Sequence, residues 1–193
     1  NKGKGVMIGH MDDMDPRVVT VIGAGVAGTQ SILKAIDNKA LVKVVDSSQS
    51  KLDDLKSKYG TENVEYILSS KDSIQVSVNE SDLVIGSVYV VGKEAPKVVT
   101  KDMLSSMNPG TVMVDVSIDQ GGCFESSRPT THDNPTFLEN DIVHYCVTNM
   151  PGAVPLTATQ ALNKVTLSFI EDLANKGIEN ALNDDEHLRN GLN

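Results

Sequence analysis

Strand-like and helix-like segments alternate along this chain from Arg17 onward, and this alternation constrains the fold more than any other feature of the sequence. Short apolar segments typical of buried strands are followed by longer segments in which apolar residues recur at helical spacing. Such alternation favours parallel strands joined by right-handed crossover helices. We therefore predict an α/β fold with a doubly wound parallel sheet and flanking helices.

Turn and capping residues set the predicted element boundaries. Strands are predicted at 18–22, 41–45, 64–67, 82–88, 111–118 and 142–147. Helices are predicted at 26–37, 50–59, 73–78 and 97–107, the last with Thr100 as its N-cap. A further helix follows Pro155 and ends at Gly177, and Thr157 with Gln160 forms a capping-box pattern at its start. Its apolar face could cover the sheet or meet a second subunit, and we expect the first.

Size, charge and cysteine content restrict the functional class. The 193 residues, of which 39% are hydrophobic, suffice for one domain with a sizeable core. A formal net charge of -9 disfavours nucleic acid and anionic membrane surfaces as partners. Cys123 and Cys146 are too few for a disulfide framework, so we expect buried thiols in a reducing compartment. With no membrane-spanning run and no signal peptide in the sequence, we expect a soluble cytoplasmic protein.

A glycine fingerprint, Gly23-Ala-Gly-Val-Ala-Gly28, follows the first predicted strand and opens the first predicted helix. In a Rossmann-type fold, Gly23 makes the tight turn, Gly25 lets a pyrophosphate approach the backbone, and Gly28 lets helix and strand pack closely. The free N–H groups at the helix start, near Val26, then bind the phosphates. A fingerprint of this kind can also be only a flexible turn, so it needs a second signal.

Asp46 supplies that second signal, because it ends the second predicted strand 18 residues after Gly28. A carboxylate at this point accepts hydrogen bonds from the adenosine ribose hydroxyls. It would also repel the 2′-phosphate that distinguishes NADP. Strand, spacing and acid together favour NAD as the cofactor.

Two acids lie near the end of the fifth predicted strand, where open α/β sheets build their sites. Asp115 is flanked by Val114 and Val116, and a buried acid there needs a fixed partner, so we expect it to make a structural hydrogen bond. Asp119 lies just past the strand and is free to reach into a cleft. The Gly121-Gly122 pair behind it lets the backbone turn sharply and approach a flat ligand. Asp119 is therefore the candidate catalytic acid.

Three stretches together resemble alanine dehydrogenase: the fingerprint, the segment 115–133 with Ser-Ser-Arg-Pro-Thr-Thr-His at 126–132, and Asn-Met-Pro-Gly-Ala-Val-Pro at 149–155. The resemblance covers the chain from Gly3 to Asn193. It implies an NAD-dependent enzyme that interconverts L-alanine with pyruvate, ammonia and NADH. Asp119 matches the catalytic aspartate of the family, whose carboxylate can stabilise the iminium cation formed as hydride leaves and can position the attacking water.

The resemblance also implies further cofactor contacts. Lys51 resembles a basic residue that touches the adenosine ribose, although a solvated helix lysine is an equally good interpretation. Ser69 resembles a serine near the adenine, and Arg128 either lies beside the cofactor or pins its loop. Tyr89 departs from the aliphatic residue usual in the family. The remaining cofactor-binding matches are Val88, Tyr89, Val116, Ser117, Ile118, Val147, Asn149 and Met150.

Two histidines, His132 and His144, are conceivable general bases. Neither matches the catalytic histidine of the family, and we expect structural roles for both. The cysteines and histidines show no metal-ligand spacing, so no metal is predicted.

The resemblance further implies a domain arrangement. Residues 1–16 are expected to connect from an upstream substrate domain, 17–155 to form the NAD-binding domain, and 156–193 to form helices that lead back to the substrate domain. That other domain supplies the lysine, histidine and arginine that the family uses on the substrate, so this chain alone is expected to be inactive. The family commonly forms hexamers, and we expect a homo-oligomer. The alternatives are a non-catalytic NAD-binding module and a subunit of a nucleotide transhydrogenase.

Overall fold

The computed structural model describes residues 3–9 and 14–192, and the chain divides into two compact units, Asn1–Thr148 and Asn149–Asn193. The strands of the first unit are β1 (Val18–Ile22), β2 (Leu41–Asp46), β3 (Val64–Leu68), β4 (Leu83–Gly86), β5 (Val112–Asp115), β6 (Thr136–Glu139) and β7 (Ile142–Tyr145). Its helices are α1 (Val26–Asp37), α2 (Gln49–Tyr59), α3 (Lys71–Glu80) and α4 (Lys101–Leu104).

The seven strands form one sheet in the order β3-β2-β1-β4-β5-β7-β6. Neighbouring strands run parallel except β6, which pairs antiparallel with β7. Strand β1 pairs with both β2 and β4, so the strand order reverses between β1 and β4. Ligands of open α/β sheets bind in the crevice outside the strand carboxyl ends at such a switch point.

Successive side chains of each strand point to opposite faces of the sheet. Apolar side chains on both faces are buried by helices, which gives two separate clusters. One buried cluster contains Ile32 of α1 and Leu52 of α2. A separate cluster contains Ile74 of α3, Met103 of α4 and Phe124 from the loop after β5. This arrangement confirms the predicted α/β fold with a doubly wound, Rossmann-type sheet.

The helix predicted at 97–107 is wrong in length, since α4 spans only Lys101–Leu104. Thr100 occupies the N-cap position, but its side chain makes no capping hydrogen bond. The preceding backbone is used elsewhere: Val98 N donates to Cys123 O at 2.8 Å, and Val99 forms a parallel bridge with Phe124. Pairing with the loop after β5 therefore replaces the first turns of the predicted helix.

The last strands of the sheet also differ from the prediction. Strand β5 ends at Asp115 rather than at 118, because Ser117 N turns back to the Asp115 carboxylate and a 3₁₀ turn follows at Ile118–Gln120. Strand β6 was not predicted. It forms a hairpin with β7 through Asn140 and Asp141, which both have positive φ angles, 50° and 60°. The structure thus adds an antiparallel edge strand to an otherwise parallel sheet.

The second unit consists of α5 (Pro155–Lys176), α6 (Ile178–Asp184) and α7 (Glu186–Asn190). Gly177 ends α5 at φ 75°, as predicted. The predicted capping box is wrong, because α5 begins at Pro155 and Thr157 and Gln160 lie inside the helix. Within residues 3–9 and 14–192, no helix is long and apolar enough to cross a membrane.

The expectation that the apolar face of α5 covers the sheet stays a prediction. No residue of α5 is buried, and Leu162 and Val165 are each 63% exposed. Apolar residues at helical spacing give a helix an apolar face, but the spacing does not specify what covers that face.

Gly28 provides a test of the packing between α1 and the strand ends. A β-carbon at Gly28 would overlap the carbonyl oxygen of Gly23 and lie 2.5 Å from Ser87 Oγ. At Gly25, where φ is -73°, a β-carbon would meet no atom within 4 Å. We predict that Gly28→Ala lowers the free energy of unfolding by about 1–3 kcal/mol through overpacking. Gly25→Ala should cost less than about 1 kcal/mol, through the weaker N-cap preference of alanine.

Urea unfolding of the two variants beside the wild type measures both changes. Equal stability of Gly28→Ala and wild type would contradict the close packing at Gly28.

Candidate functional site

A cleft of about 670 Å³ lies at the carboxyl ends of β1, β2, β4 and β5, and we call it the switch-point cleft. It is lined by Gly23, Gly25, Val26, Ala27, Asp46, Ser47, Lys51, Ser87, Val88, Tyr89, Val116, Ser117, Asp119 and Gln120. These residues come from four separated stretches of the chain, each of which follows a strand. The fold therefore brings most of the predicted site residues together at one edge of the sheet.

The glycine turn forms one wall of the switch-point cleft. Gly23 has φ 92°, and a β-carbon on it would lie 2.7 Å from the Ser87 carbonyl oxygen, so only glycine fits there without strain. Helix α1 begins directly after Gly25, with no acidic residue in its first turn. The first N–H groups of a helix lack intrahelical partners and carry a partial positive charge. This wall of the cleft is therefore suited to bind phosphate.

Asp46 lines the cleft beside the glycine turn and is held by groups on both of its oxygens. Oδ2 accepts a 2.7 Å hydrogen bond from Ala24 N, and Oδ1 accepts a 2.9 Å bond from Ser48 N. Lys51 Nζ lies 3.2 Å from Oδ2. Burial alone raises the pKa of Asp46, but the two backbone N–H groups and Lys51 outweigh burial, so the pKa lies below its ordinary value. The carboxylate is consequently ionised at neutral pH.

Lys51 is therefore not simply a solvated helix lysine. Its ammonium group pairs with Asp46 and lines the switch-point cleft. Ser69 lies outside the cleft lining, but its backbone N donates to the Asp46 carbonyl oxygen at 2.9 Å. Both residues thus lie beside the acid at the end of β2.

The two acids near the end of β5 have different surroundings. Asp115 is fully buried and accepts hydrogen bonds from the backbone N–H groups of Ser117 and Cys123, which confirms the predicted structural role. Asp119 lies in the 3₁₀ turn, is exposed, and lines the switch-point cleft with Val116 and Ser117. Of the two carboxylates, only that of Asp119 faces the cleft.

Four predicted cofactor residues of the first unit, besides Ser69, do not line the cleft. Gly28 acts by packing, and Ile118 and Val147 are buried. The Arg128 guanidinium lies 4.2 Å from the centroid of the Phe137 ring, a cation–π contact. This contact favours the interpretation in which Arg128 pins its loop.

Asn149 and Met150 belong to the second unit. Asn149 has a left-handed backbone, with φ 52° and ψ 52°, and precedes a 3₁₀ turn at Met150–Ala153. Strand β7 ends before this turn, at Tyr145 rather than at 147 as predicted. Contacts of these two residues with a cofactor stay predictions.

Four residues that line the cleft were missing from the predicted set: Ala27, Ser47, Ser87 and Gln120. Three of them directly follow a predicted residue, Val26, Asp46 or Asp119. Ser87 Oγ donates to the Gly23 carbonyl oxygen at 2.6 Å and so links the ends of β1 and β4. Its place near the end of the predicted fourth strand was the signal available in the sequence.

The two cysteines are free and buried, as predicted. Burial raises the pKa of both thiols, and the nearby Asp115 carboxylate raises the pKa of Cys123 further. Both are consequently protonated and poor nucleophiles at neutral pH.

His144 is a structural residue of the core rather than a base in the cleft. Its Nε2 lies 2.8 Å from Ser126 Oγ and its Nδ1 lies 3.1 Å from the Ile142 carbonyl oxygen. The ring stacks on Phe137 with centroids 4.8 Å apart. His132 is exposed and does not line the cleft.

The buried His144 generates a pH prediction. Burial lowers the pKa of His144 below its ordinary value, so the unfolded chain takes up this proton at about pH 6.5 while the folded ring stays neutral to lower pH. His144 therefore makes its full contribution to the free energy of unfolding above about pH 6.5, and this contribution is lost as the pH falls below that value. We predict that His144→Gln weakens the pH dependence of the unfolding free energy between about pH 5 and 7.

Urea titrations across this pH range measure the slope for each protein. A slope in His144→Gln equal to that of the wild type would show that His144 does not contribute to it.

The family model for the alanine dehydrogenase/PNT C-terminal domain matches residues 1–193. An alanine dehydrogenase from Halomonas elongata is 49% identical over 191 residues, which cover 99% of this chain and 51% of that protein. A solved L-alanine dehydrogenase is similar with a TM-score of 0.92 and 43% identity, over 100% of this chain and 53% of that chain.

A solved transhydrogenase from Sinorhizobium meliloti is less similar, with a TM-score of 0.71 and 26% identity over 82% of this chain and 45% of that chain. The chain spans about half the length of the curated relatives it matches.

Proposed function

The chain belongs to the family of alanine dehydrogenase/PNT C-terminal domains, and from this premise we propose that it is the NAD-binding domain of an alanine dehydrogenase. The whole protein then catalyses the reversible oxidative deamination of L-alanine to pyruvate and ammonia. The observation that carries this proposal is the switch-point cleft, in which a glycine turn, an ionised acid after β2 and a second acid after β5 lie together.

The residues of the cleft fit a dinucleotide. Gly25 leaves open space beside the start of α1, where a β-carbon would meet nothing within 4 Å, and a pyrophosphate can approach the helix N–H groups there. Asp46 and Lys51 lie where the adenosine ribose binds, with Ser69 nearby. Val88 and Tyr89 follow β4 and flank the nicotinamide half together with Val116, Ser117 and Asp119.

Asp119 supplies the chemical contribution of this chain. Bound NAD provides the carbon that accepts the hydride from the α-carbon of L-alanine. Loss of hydride from L-alanine whose amino group has already given up its extra proton leaves a cationic iminium, and the carboxylate of Asp119 stabilises this charge from the cleft wall. The same carboxylate can hold the water that attacks the iminium carbon. A preformed charge of this kind needs little reorganisation during the reaction.

The remaining parts of the site are proposed to lie outside residues 1–193. In this proposal, residues 1–16 connect from a substrate domain, 17–155 bind NAD, and 156–193 lead back to that domain, which binds L-alanine and pyruvate. The exposed apolar side chains of α5, such as Leu162 and Val165, are available to a longer chain or a second copy. We propose a cytoplasmic homo-oligomer as the complete enzyme.

The transhydrogenase alternative has weaker support. The solved transhydrogenase is 26% identical to this chain, whereas the matched alanine dehydrogenases are 43–49% identical. The comparison therefore favours alanine as the substrate.

Cofactor choice tests the role of Asp46. We predict that this chain binds NADH more tightly than NADPH, because the ionised carboxylate accepts ribose hydrogen bonds and repels a 2′-phosphate. Charge-assisted bonds of this type contribute about 1.5–3 kcal/mol each, so Asp46→Asn should weaken NADH binding by at least about tenfold. Asp54→Asn, which changes an exposed acid of α2, is the matched control and should bind normally.

Isothermal titration calorimetry with each nucleotide measures these affinities. Equal affinities for NADH and NADPH, or a preference for NADPH, would remove Asp46 from the proposed role.

A second prediction concerns Asp119 in the full-length enzyme. Asp119→Asn keeps the shape of the side chain but removes its charge, so kcat should fall by about 10²–10³ while NADH affinity changes far less. Steady-state kinetics and NADH binding measure the two effects. The wild-type chain studied alone should bind NADH without forming NADH from L-alanine.

Normal turnover by Asp119→Asn, or a loss of NADH affinity in proportion to rate, would contradict the catalytic role of Asp119. A full-length wild type that binds NADH but does not act on L-alanine would instead support a non-catalytic module.

A further inference from the structure

Asp115 is a fully buried carboxylate whose partners all come from one loop. Its Oδ1 accepts a 3.0 Å hydrogen bond from Ser117 N, and its Oδ2 accepts bonds from Cys123 N at 2.9 Å and Phe124 N at 3.2 Å. Ser127 Oγ also donates to Oδ2. No cation forms a salt bridge with Asp115 in the part of the chain that the structure describes. Burial of this charge is therefore compensated by hydrogen bonds from the loop alone.

The two carboxylate oxygens hold opposite ends of the segment that carries Asp119. Ser117 lies at its entry, and Cys123 and Phe124 lie at its exit. The segment is also closed on itself, because Ser117 O accepts bonds from Gln120 N at 2.9 Å and from Gly122 N at 3.0 Å. Asp119 is thus presented from a short closed turn whose ends are both attached to one side chain.

This turn packs so closely against Asp115 that a side chain at Gly122 would not fit. A β-carbon on Gly122 would lie 2.8 Å from Asp115 Oδ2 and 2.9 Å from Ser127 Cβ, and Gly122 has φ 75°. On the outer side of the turn, Lys97 Nζ donates to the carbonyl oxygens of Gly121 and Gly122. The turn is therefore held by contacts with Asp115, Ser127 and Lys97.

We propose that Asp115 is a positioning residue whose carboxylate sets where the Asp119 carboxylate lies in the switch-point cleft. The inference rests on the proposed catalytic role of Asp119. In the variant Asp115→Asn, the side chain has a single acceptor oxygen, and its NH₂ group faces N–H donors at one end of the turn. The turn then loses its hydrogen bond to residue 115 at that end, and the Asp119 carboxylate moves relative to the bound substrate.

A double-mutant cycle in the full-length enzyme tests this positioning role. We expect Asp115→Asn to lower kcat roughly 10- to 100-fold, since misplacing a catalytic group by about 1 Å can cost 10² in rate. In the Asp119→Asn background, Asp115→Asn should cause no further loss of kcat, because the group it positions no longer acts. A purely structural role would lower kcat equally in both backgrounds.

Two further variants control for damage to the fold. Asp82→Asn removes a carboxylate that lies just before β4, at the end of the sheet away from the cleft. This carboxylate accepts a 3.2 Å hydrogen bond from Val18 N and pairs with Lys4 Nζ at 2.8 Å. Asp82→Asn should lower stability without changing kcat. Ser127→Ala removes one donor to Asp115 while the carboxylate remains, and should lower kcat less than Asp115→Asn does.

The outcomes are distinct. Losses that multiply in the double variant would overturn the positioning role and leave the role of Asp119 intact, whereas normal kcat in Asp119→Asn alone would overturn both. If Asp115→Asn does not fold, the same cycle with Ser127→Ala decides the question: a loss that vanishes in the Asp119→Asn background supports positioning, and one that persists overturns it.

Discussion

Close contact between the glycine turn after β1 and the segment after β4 is the constraint on which the rest of the site depends. Ser87 Oγ donates to the Gly23 carbonyl oxygen, and the Ser87 side chain and backbone occupy the space where β-carbons on Gly28 and Gly23 would lie. The ends of β1 and β4 therefore stay close together while the chain continues in opposite directions from them. The cleft exists because the strand order reverses at this contact.

Three acids at strand ends share one residue type but differ in surroundings. Asp46 is held by backbone N–H groups and Lys51 on the cleft wall, Asp115 is buried under its own loop, and Asp119 is exposed at the cleft. Surroundings of this kind decide whether a carboxylate supports structure, binds a ligand or takes part in chemistry. The first two acids in this chain hold backbone in place, and they leave the third in a defined position.

Much of the fold and the site could be predicted from local sequence patterns. The bounds of β1 and α1 follow from an apolar run, a glycine turn and helical spacing, which all act between neighbours in sequence. Asp46 ends β2 and Asp119 lies in the 3₁₀ turn after β5, so the preceding strand places each of them at the carboxyl edge of the sheet.

The features that were missed depend on distant pairings. The predicted helix at 97–107 lost its first turns because Val99 pairs with Phe124, and β6 exists only as the partner of β7. The periodicity of α5 likewise gives the helix an apolar face without encoding what packs against it. The cation–π contact joins Arg128 in a loop to Phe137 in β6, two positions that no local pattern connects.

A crystal structure of this chain with NADH tests the central claim most directly. We expect the pyrophosphate on the N–H groups at the start of α1, the adenosine ribose in contact with Asp46, and the nicotinamide beside Asp119. A nucleotide bound elsewhere, or one whose nicotinamide lies away from the turn that carries Asp119, would contradict it.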